Sequence, residues 1–306
     1  MAPIWLAYAD SWLMPLHSPA MGIAATLTLL PLLAAAFLGS KLARYSETLP
    51  AWVRILRPAV LCLPYLLVAR ASGSFSWMWL ALYALLPVVV AGLLFWGRAV
   101  DPAQGGSWQD FLVLIGLGLA VDLRWFEAAW PAHLAVFNKI LLLDAGIYGF
   151  LIIRQLDGVG FDLRLRFREV RIGLRELLIY TPIAIALGLG LGFLHVHAVW
   201  PRFIQFLTAL VFTFFFIAVP EELFFRGWMQ NLLERRLGRY PALFLTAALF
   251  GLSHFNKRAA HFNWRYVLLA ALAGIFYGRA WRQDRRVGAS AITHASVDTI
   301  WSLWLR

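Results

Sequence analysis

Thiol chemistry is nearly absent from this chain: Cys62 is the only cysteine among 306 residues, which excludes an intrachain disulfide and a thiolate metal cluster. Its place in an apolar run reads as a packed residue. Charge is scarce as well. Only 14% of residues are charged against 61% hydrophobic, and a mean hydropathy of +0.72 excludes an ordinary soluble domain. Acidic residues are the scarcest class of charge, 16 against 27 basic ones. A net charge of +11 would suit nucleic acid, but the lysines and arginines gather in short loops between apolar runs. The positive-inside bias of membrane proteins accounts for that distribution, and no nucleic-acid partner is expected. Internal repeats, low-complexity segments and a His-Glu-x-x-His zinc helix are all missing.

The apolar runs themselves fall at about 21–39, 54–70, 76–97, 108–122, 133–153, 172–194, 203–219, 241–256, 264–281 and 288–305. Most approach the length a bilayer requires, with 108–122 the weakest. The expected fold is therefore all-α, a polytopic transmembrane helix bundle of about ten membrane helices. The expected location is integral and multi-pass in the cell (inner) membrane. The most basic loops, 40–57, 154–175, 226–240 and 279–287, all fall on one side if the ten spans alternate, which places them in the cytoplasm and both termini outside. No basic residue precedes the first run while Lys41 and Arg44 follow it, so it reads as a first span rather than a secretory signal. Tryptophans such as Trp5, Trp12, Trp77, Trp200 and Trp301 near the span ends read as interface anchors.

The polar loop from Arg154 to Glu176 alternates charged and apolar residues, as a short membrane-surface strand or an interfacial helix would. It also divides the chain, with residues 1–171 expected as an N-terminal helical region and residues 172–306 as a catalytic helical core.

Three stretches carry candidate chemistry. Glu221, Glu222 and Arg226 stand at the end of an apolar run, where insertion scales charge roughly 2.5–3.5 kcal/mol for each charged group at mid-membrane. With Pro220 opening a helical segment, Glu222 and Arg226 are four apart on one face and can pair. Glu221 lies about 100° further round, with no counter-charge in its own turn. His254 follows in the next apolar segment, and His294 and Asp298 stand four apart in the last. Gly238 marks a basic turn between the first two. Equal spacing from it puts Glu221 and His254 at similar depth, roughly 25 Å along each arm of a helical hairpin. His195 and His197 read as solvated histidines at a span end, and His17, His133 and His261 as loop residues with no role.

Glu-Glu-x-x-x-Arg, then Phe-x-x-x-His, then His-x-x-x-Asn/Asp, in that order across membrane helices, resembles the CPBP family of CAAX proteases and bacteriocin-processing enzymes, also called ABI proteins. The motifs stand here as Glu221-Glu222-Arg226, Phe250-His254 and His294-Asp298, and the resemblance covers the last third of the chain. The family's CAAX enzymes carry Asn where this chain has Asp298. The resemblance implies an intramembrane endopeptidase acting on a membrane protein or a lipidated, CAAX-like peptide within the lipid bilayer. It also implies that Glu221, His254 and His294 are catalytic, with Glu222 and Arg226 as support.

Peptide hydrolysis needs an activated water, a proton for the leaving amine and a donor for the oxyanion. Glu221 suits the base, His254 a second hold on the water, and His294 the oxyanion donor. Asp298, one turn from His294, suits a partner that sets its tautomer or charge. No cofactor is expected on this reading. A zinc ion held by Glu221, His254 and His294 is the competing mechanism. A proton-coupled transporter or a non-enzymatic scaffold with the same buried charges is the competing class.

Overall fold

A computed structural model of the chain describes residues 19–131, 134–197, 200–256 and 262–305. His17, His133, His261, Trp5 and Trp12 lie outside the described residues. Among the described residues ten helices follow one another: α1 (Pro19–Glu47), α2 (Ala51–Ala71), α3 (Trp77–Val100), α4 (Trp108–Asp122), α5 (Ala135–Ile153), α6 (Phe167–Gly190), α7 (Phe203–Leu237), α8 (Arg239–Leu252), α9 (Trp264–Asp284) and α10 (Val287–Trp304). There is no strand among the described residues. Helices α1, α2, α3, α5, α6 and α7 are each long and apolar enough to cross a membrane. The protein is an all-helical, integral, multi-pass membrane bundle.

The described residues before Gly158 form one compact unit and those from Gly158 onward a second. In the first, the short helix α4 is anchored at its start. Ser107 and Asp110 form a reciprocal capping box at the start of α4, and the buried guanidinium of Arg154 bonds Asp110 (Nε to Oδ1, 2.9 Å) and Asp101 (Nη2 to Oδ2, 2.8 Å). That charge cluster is satisfied within its own unit.

The second unit contains α6 to α10, and residue 172 lies within its first helix. Small residues let α8 and α9 approach closely: a side chain on Gly251 would meet the Val267 carbonyl at 2.5 Å, and one on Gly274 would meet Ala247 at 3.0 Å.

Three local expectations are corrected. Pro220 does not start a helix. It lies inside α7, which runs unbroken for 35 residues because a π-helical turn, Phe214–Ala218, precedes the proline. A proline lacks the N–H and clashes with the carbonyl four residues back, and a π turn relaxes that register. His254 does not sit within a helix either. Helix α8 ends at Leu252, and His254 occupies the turn beyond it.

The loop before α6 is neither strand nor interfacial helix. Residues 158–166 are clamped against the α9–α10 turn by the indole of Trp281, which donates to the Val159 carbonyl (3.1 Å), and by Val287 N–H, which donates to Gly160 (3.0 Å). Arg286 reinforces the clamp through the carbonyls of Asp162 (3.2 Å) and Arg164 (3.0 Å) and an ion pair with the buried Glu169. Gly160 adopts φ +71° with the Arg285 carbonyl packed against its Cα, so any side chain collides. Gly160→Ala should destabilise the protein by roughly 2–4 kcal/mol, overpacking and left-handed backbone strain together. Thermal unfolding of the purified protein in detergent checks this, and an unchanged melting temperature would show that the clamp is not needed.

Candidate active site

The π-helical turns on both sides of Val219–Glu222 give α7 a local register that 3.6 residues per turn does not describe. Such turns widen a helix and re-aim its side chains. In this widened stretch Glu222 and Arg226 point inward with no solvent exposure, and Glu222 Oε2 lies 3.2 Å from Arg226 Nε. Arg226 also donates to the Gly274 carbonyl of α9 (3.0 Å), and its guanidinium lies over the rings of Phe250 (4.7 Å) and Tyr277 (5.4 Å). A charge desolvated this far needs all of these partners.

Helix α10 brings His294 to the same place. Its Nδ1 lies 2.8 Å from Glu222 Oε1, so that N–H donates to the carboxylate Arg226 holds from the other side. Its Nε2 faces two more carboxylates, Asp298 Oδ2 at 3.5 Å and Glu221 Oε2 at 3.9 Å. The second distance exceeds a hydrogen bond. The two sides of the ring also differ in exposure. Glu222 is fully buried, whereas the side chains of Glu221 and Asp298 are 29% and 31% exposed. Tyr277 stacks on the imidazole (4.6 Å, 12°) and Phe250 meets it edge-on (5.6 Å, 88°), so the ring has little freedom to turn.

His254 is held by the end of its own helix. Its Nδ1 lies 2.8 Å from the Phe250 carbonyl, one of the acceptors that a helix C-terminus leaves over, and the Ser253 hydroxyl donates to the same oxygen (2.8 Å). Only Nδ1–H can satisfy a carbonyl, so in the neutral ring Nε2 is the nitrogen with the lone pair. His254, His294 and Asp298 all line one cavity of about 80 Å³ whose remaining wall is mostly apolar and aromatic, including Tyr180, Tyr266 and Trp301. Glu221 is not part of that wall and meets the others beside His294 Nε2.

Of the expected residues, the structure thus gathers Glu221, Glu222 and Asp298 around the ring of His294, with Arg226 behind Glu222 and His254 on the wall of the same cavity. Two contributors carry no signal in the sequence. Tyr277 is one aromatic among several in α9, and the Gly274 carbonyl is invisible to any side-chain pattern. His195 and His197 are exposed and do not line this cavity. Among the described residues, no group of three or more His, Cys, Asp or Glu side chains is arranged to hold a metal ion.

Residues 203–300 match the family model of type II CAAX prenyl endopeptidases, Rce1-like. This segment is similar to Rce1-like CAAX prenyl endopeptidases. The matched segment runs from the first residue of α7 into α10 and contains all seven motif residues. No curated protein and no solved structure matches the chain significantly. The Rce1-like domain, set among helices that cross the membrane, supports an intramembrane protease.

Proposed function

We propose that the protein is an intramembrane endopeptidase of the cell (inner) membrane that hydrolyses membrane-associated or lipidated, CAAX-like peptides through a glutamate-activated water, without a metal. The observation that carries this reading is the His294 ring, held at Nδ1 by the buried Glu222 and presenting Nε2 to the part-exposed Glu221 and Asp298. With Nδ1–H committed to Glu222, Nε2 carries a proton when the ring is an imidazolium. Three carboxylates and one guanidinium around it favour that charge.

The geometry supports one course of reaction. Glu221 takes a proton from water placed beside Nε2, and the hydroxide adds to the peptide carbonyl carbon. His294 Nε2–H receives the oxyanion, and Glu221 returns its proton to the leaving nitrogen as the C–N bond breaks. His254 Nε2 accepts from the same water across the cavity, while Arg226 and Glu222 keep the ring in place. Comparative proteomics of membranes from cells expressing the wild type or Glu221→Gln tests the function as a whole. New peptide ends dependent on Glu221 are the expected result, and identical profiles would return the chain to the transporter or scaffold class.

Two narrower tests follow. Exhaustive chelation with elemental analysis should leave activity in detergent unchanged, whereas zinc lost with activity and restored on re-addition would overturn the metal-free mechanism. Asp298→Asn removes one of the two carboxylates facing Nε2 and should lower kcat about tenfold, ~1.4 kcal/mol of barrier, with little change in KM. Full turnover in Asp298→Asn would reject a tuning role for the carboxylate.

A further inference from the structure

Helix α6 has a buried face and an open face, and they divide its charges by sign. Glu169, Ile172, Gly173, Glu176 and Tyr180, three or four residues apart, are buried, and α9 and α10 pack on this helix. The open face reads Arg168, Arg171, Arg175, Leu178 and Pro182 at the same spacing, so these five form one stripe. Three guanidinium groups therefore stand within roughly 10 Å along the helix axis. The stripe then turns apolar: Leu178 is 73% exposed, and Leu174 and Ile179 are exposed next to it.

Acids around the stripe hold its arginines in place without neutralising the cluster. Glu176, with no exposure, accepts from Arg175 (Nη2 to Oε1, 2.6 Å), and its Oε2 lies 3.1 Å from Nε of Arg279, which reaches it from α9. Two guanidinium groups from different helices are thus set side by side on one carboxylate. Arg168 pairs with Asp284 at the end of α9 (2.7 Å), and the remaining acid of α6, Glu169, is taken by Arg286 of the clamp. Four arginines, Arg168, Arg171, Arg175 and Arg279, against the two carboxylates of Glu176 and Asp284 leave a surplus of two positive charges. Each ion pair engages one nitrogen of a guanidinium that has five N–H donors. The side chains of Arg168, Arg175 and Arg279 remain 65%, 52% and 44% exposed.

We propose that this stripe is a binding site for an anionic phospholipid, whose phosphate sits on Arg168, Arg171, Arg175 and Arg279 and whose acyl chain lies along Leu174, Leu178 and Ile179. Arginine matches a phosphate through paired N–H donors, and the surplus charge is offset by a lipid whose headgroup has no cation of its own. A soluble phosphate would leave the apolar half of the stripe uncovered. A choline lipid would bring its own cation against the arginines. General attraction between basic loops and an anionic membrane needs no register. Here the arginines share one face, lie on the spanning helix itself and lead directly into exposed leucines.

The full-length protein in a neutral detergent is titrated with dioleoyl phosphatidylglycerol or dioleoyl phosphatidylcholine, and bound lipid is counted by native mass spectrometry. Phosphatidylglycerol should bind about tenfold more tightly or better. Arg171 is exposed and lies on the stripe, and replacing it breaks none of the ion pairs above. Arg171→Gln should weaken phosphatidylglycerol binding about fivefold and Arg171→Glu about 25-fold. Arg239→Gln removes an exposed arginine at the start of α8 and should bind as the wild type does. Glycerol phosphate in excess should not displace the lipid. Equal binding of the two lipids, or unchanged binding in both Arg171 variants, overturns the proposal. The same loss in Arg239→Gln as in Arg171→Gln overturns it by leaving only diffuse charge attraction, and displacement by glycerol phosphate does so by assigning the site to a soluble phosphate. Melting temperatures without lipid, expected to match the wild type, separate lost binding from lost fold. Proteolysis does not enter the readout, so the outcome is independent of the protease reading.

Discussion

Glu221→Gln is expected to abolish proteolysis, by about 10²–10⁴-fold or to background, while the protein accumulates and inserts as the wild type does. The amide keeps the shape and loses the proton acceptor. Its position makes the separation clean, because Glu221 is part-exposed and 3.9 Å from His294 Nε2, outside the buried core that Glu222 occupies. His254→Ala should match it in direction. That change removes the acceptor across the cavity, and the Phe250 carbonyl keeps the Ser253 hydroxyl as a donor, so the helix end is not stripped of partners. The measurement is turnover of one cleavable substrate normalised to purified protein, with expression and thermal stability read in parallel. Retained activity in Glu221→Gln would sink the assignment of the base.

Arg226→Ala is expected to behave in the opposite manner, lowering the amount of folded protein as well as its activity. Its guanidinium has no exposure and is the cation that faces Glu222 Oε2. Removing one partner of a buried pair leaves a desolvated charge behind and costs ~3–5 kcal/mol. The Gly274 carbonyl and the faces of Phe250 and Tyr277 lose their cation at the same time, which loosens the packing around His294. Protein level, melting temperature and turnover per folded molecule separate the effects. An Arg226→Ala protein that accumulates normally with normal stability would show that Glu222 is adequately held by His294 alone.

The two experiments differ because two adjacent glutamates have opposite surroundings, and that difference is not local. From Glu-Glu-x-x-x-Arg on a regular helix, only the second glutamate has a partner in reach, and the other faces away. The structure adds a histidine 72 residues later in the chain, and that histidine touches both. Glu222 thereby changes from one half of an ion pair into the shared acceptor between a guanidinium and the His294 ring. The turn at His254 shows the same limit on a smaller scale. The apolar run continues past Leu252, so composition extends the helix. The side chain of His254 instead caps the Phe250 carbonyl and ends it.

What the sequence by itself determined was whatever depends on composition and near neighbours. Long apolar runs require helices in a bilayer, where each backbone N–H and C=O must be satisfied within its own segment, and the run lengths then mark out the spans. The three motifs likewise name their residues, because charge is too costly at membrane depth to be placed there idly. Tertiary structure alone decided which nitrogen of His294 faces which carboxylate, that Tyr277 stacks on it, and that the loop before α6 is held against the α9–α10 turn. Those features depend on contacts between helices far apart in the chain and on π turns that shift side chains out of the regular register. No local periodicity encodes either, since each arises only when several helices are packed together.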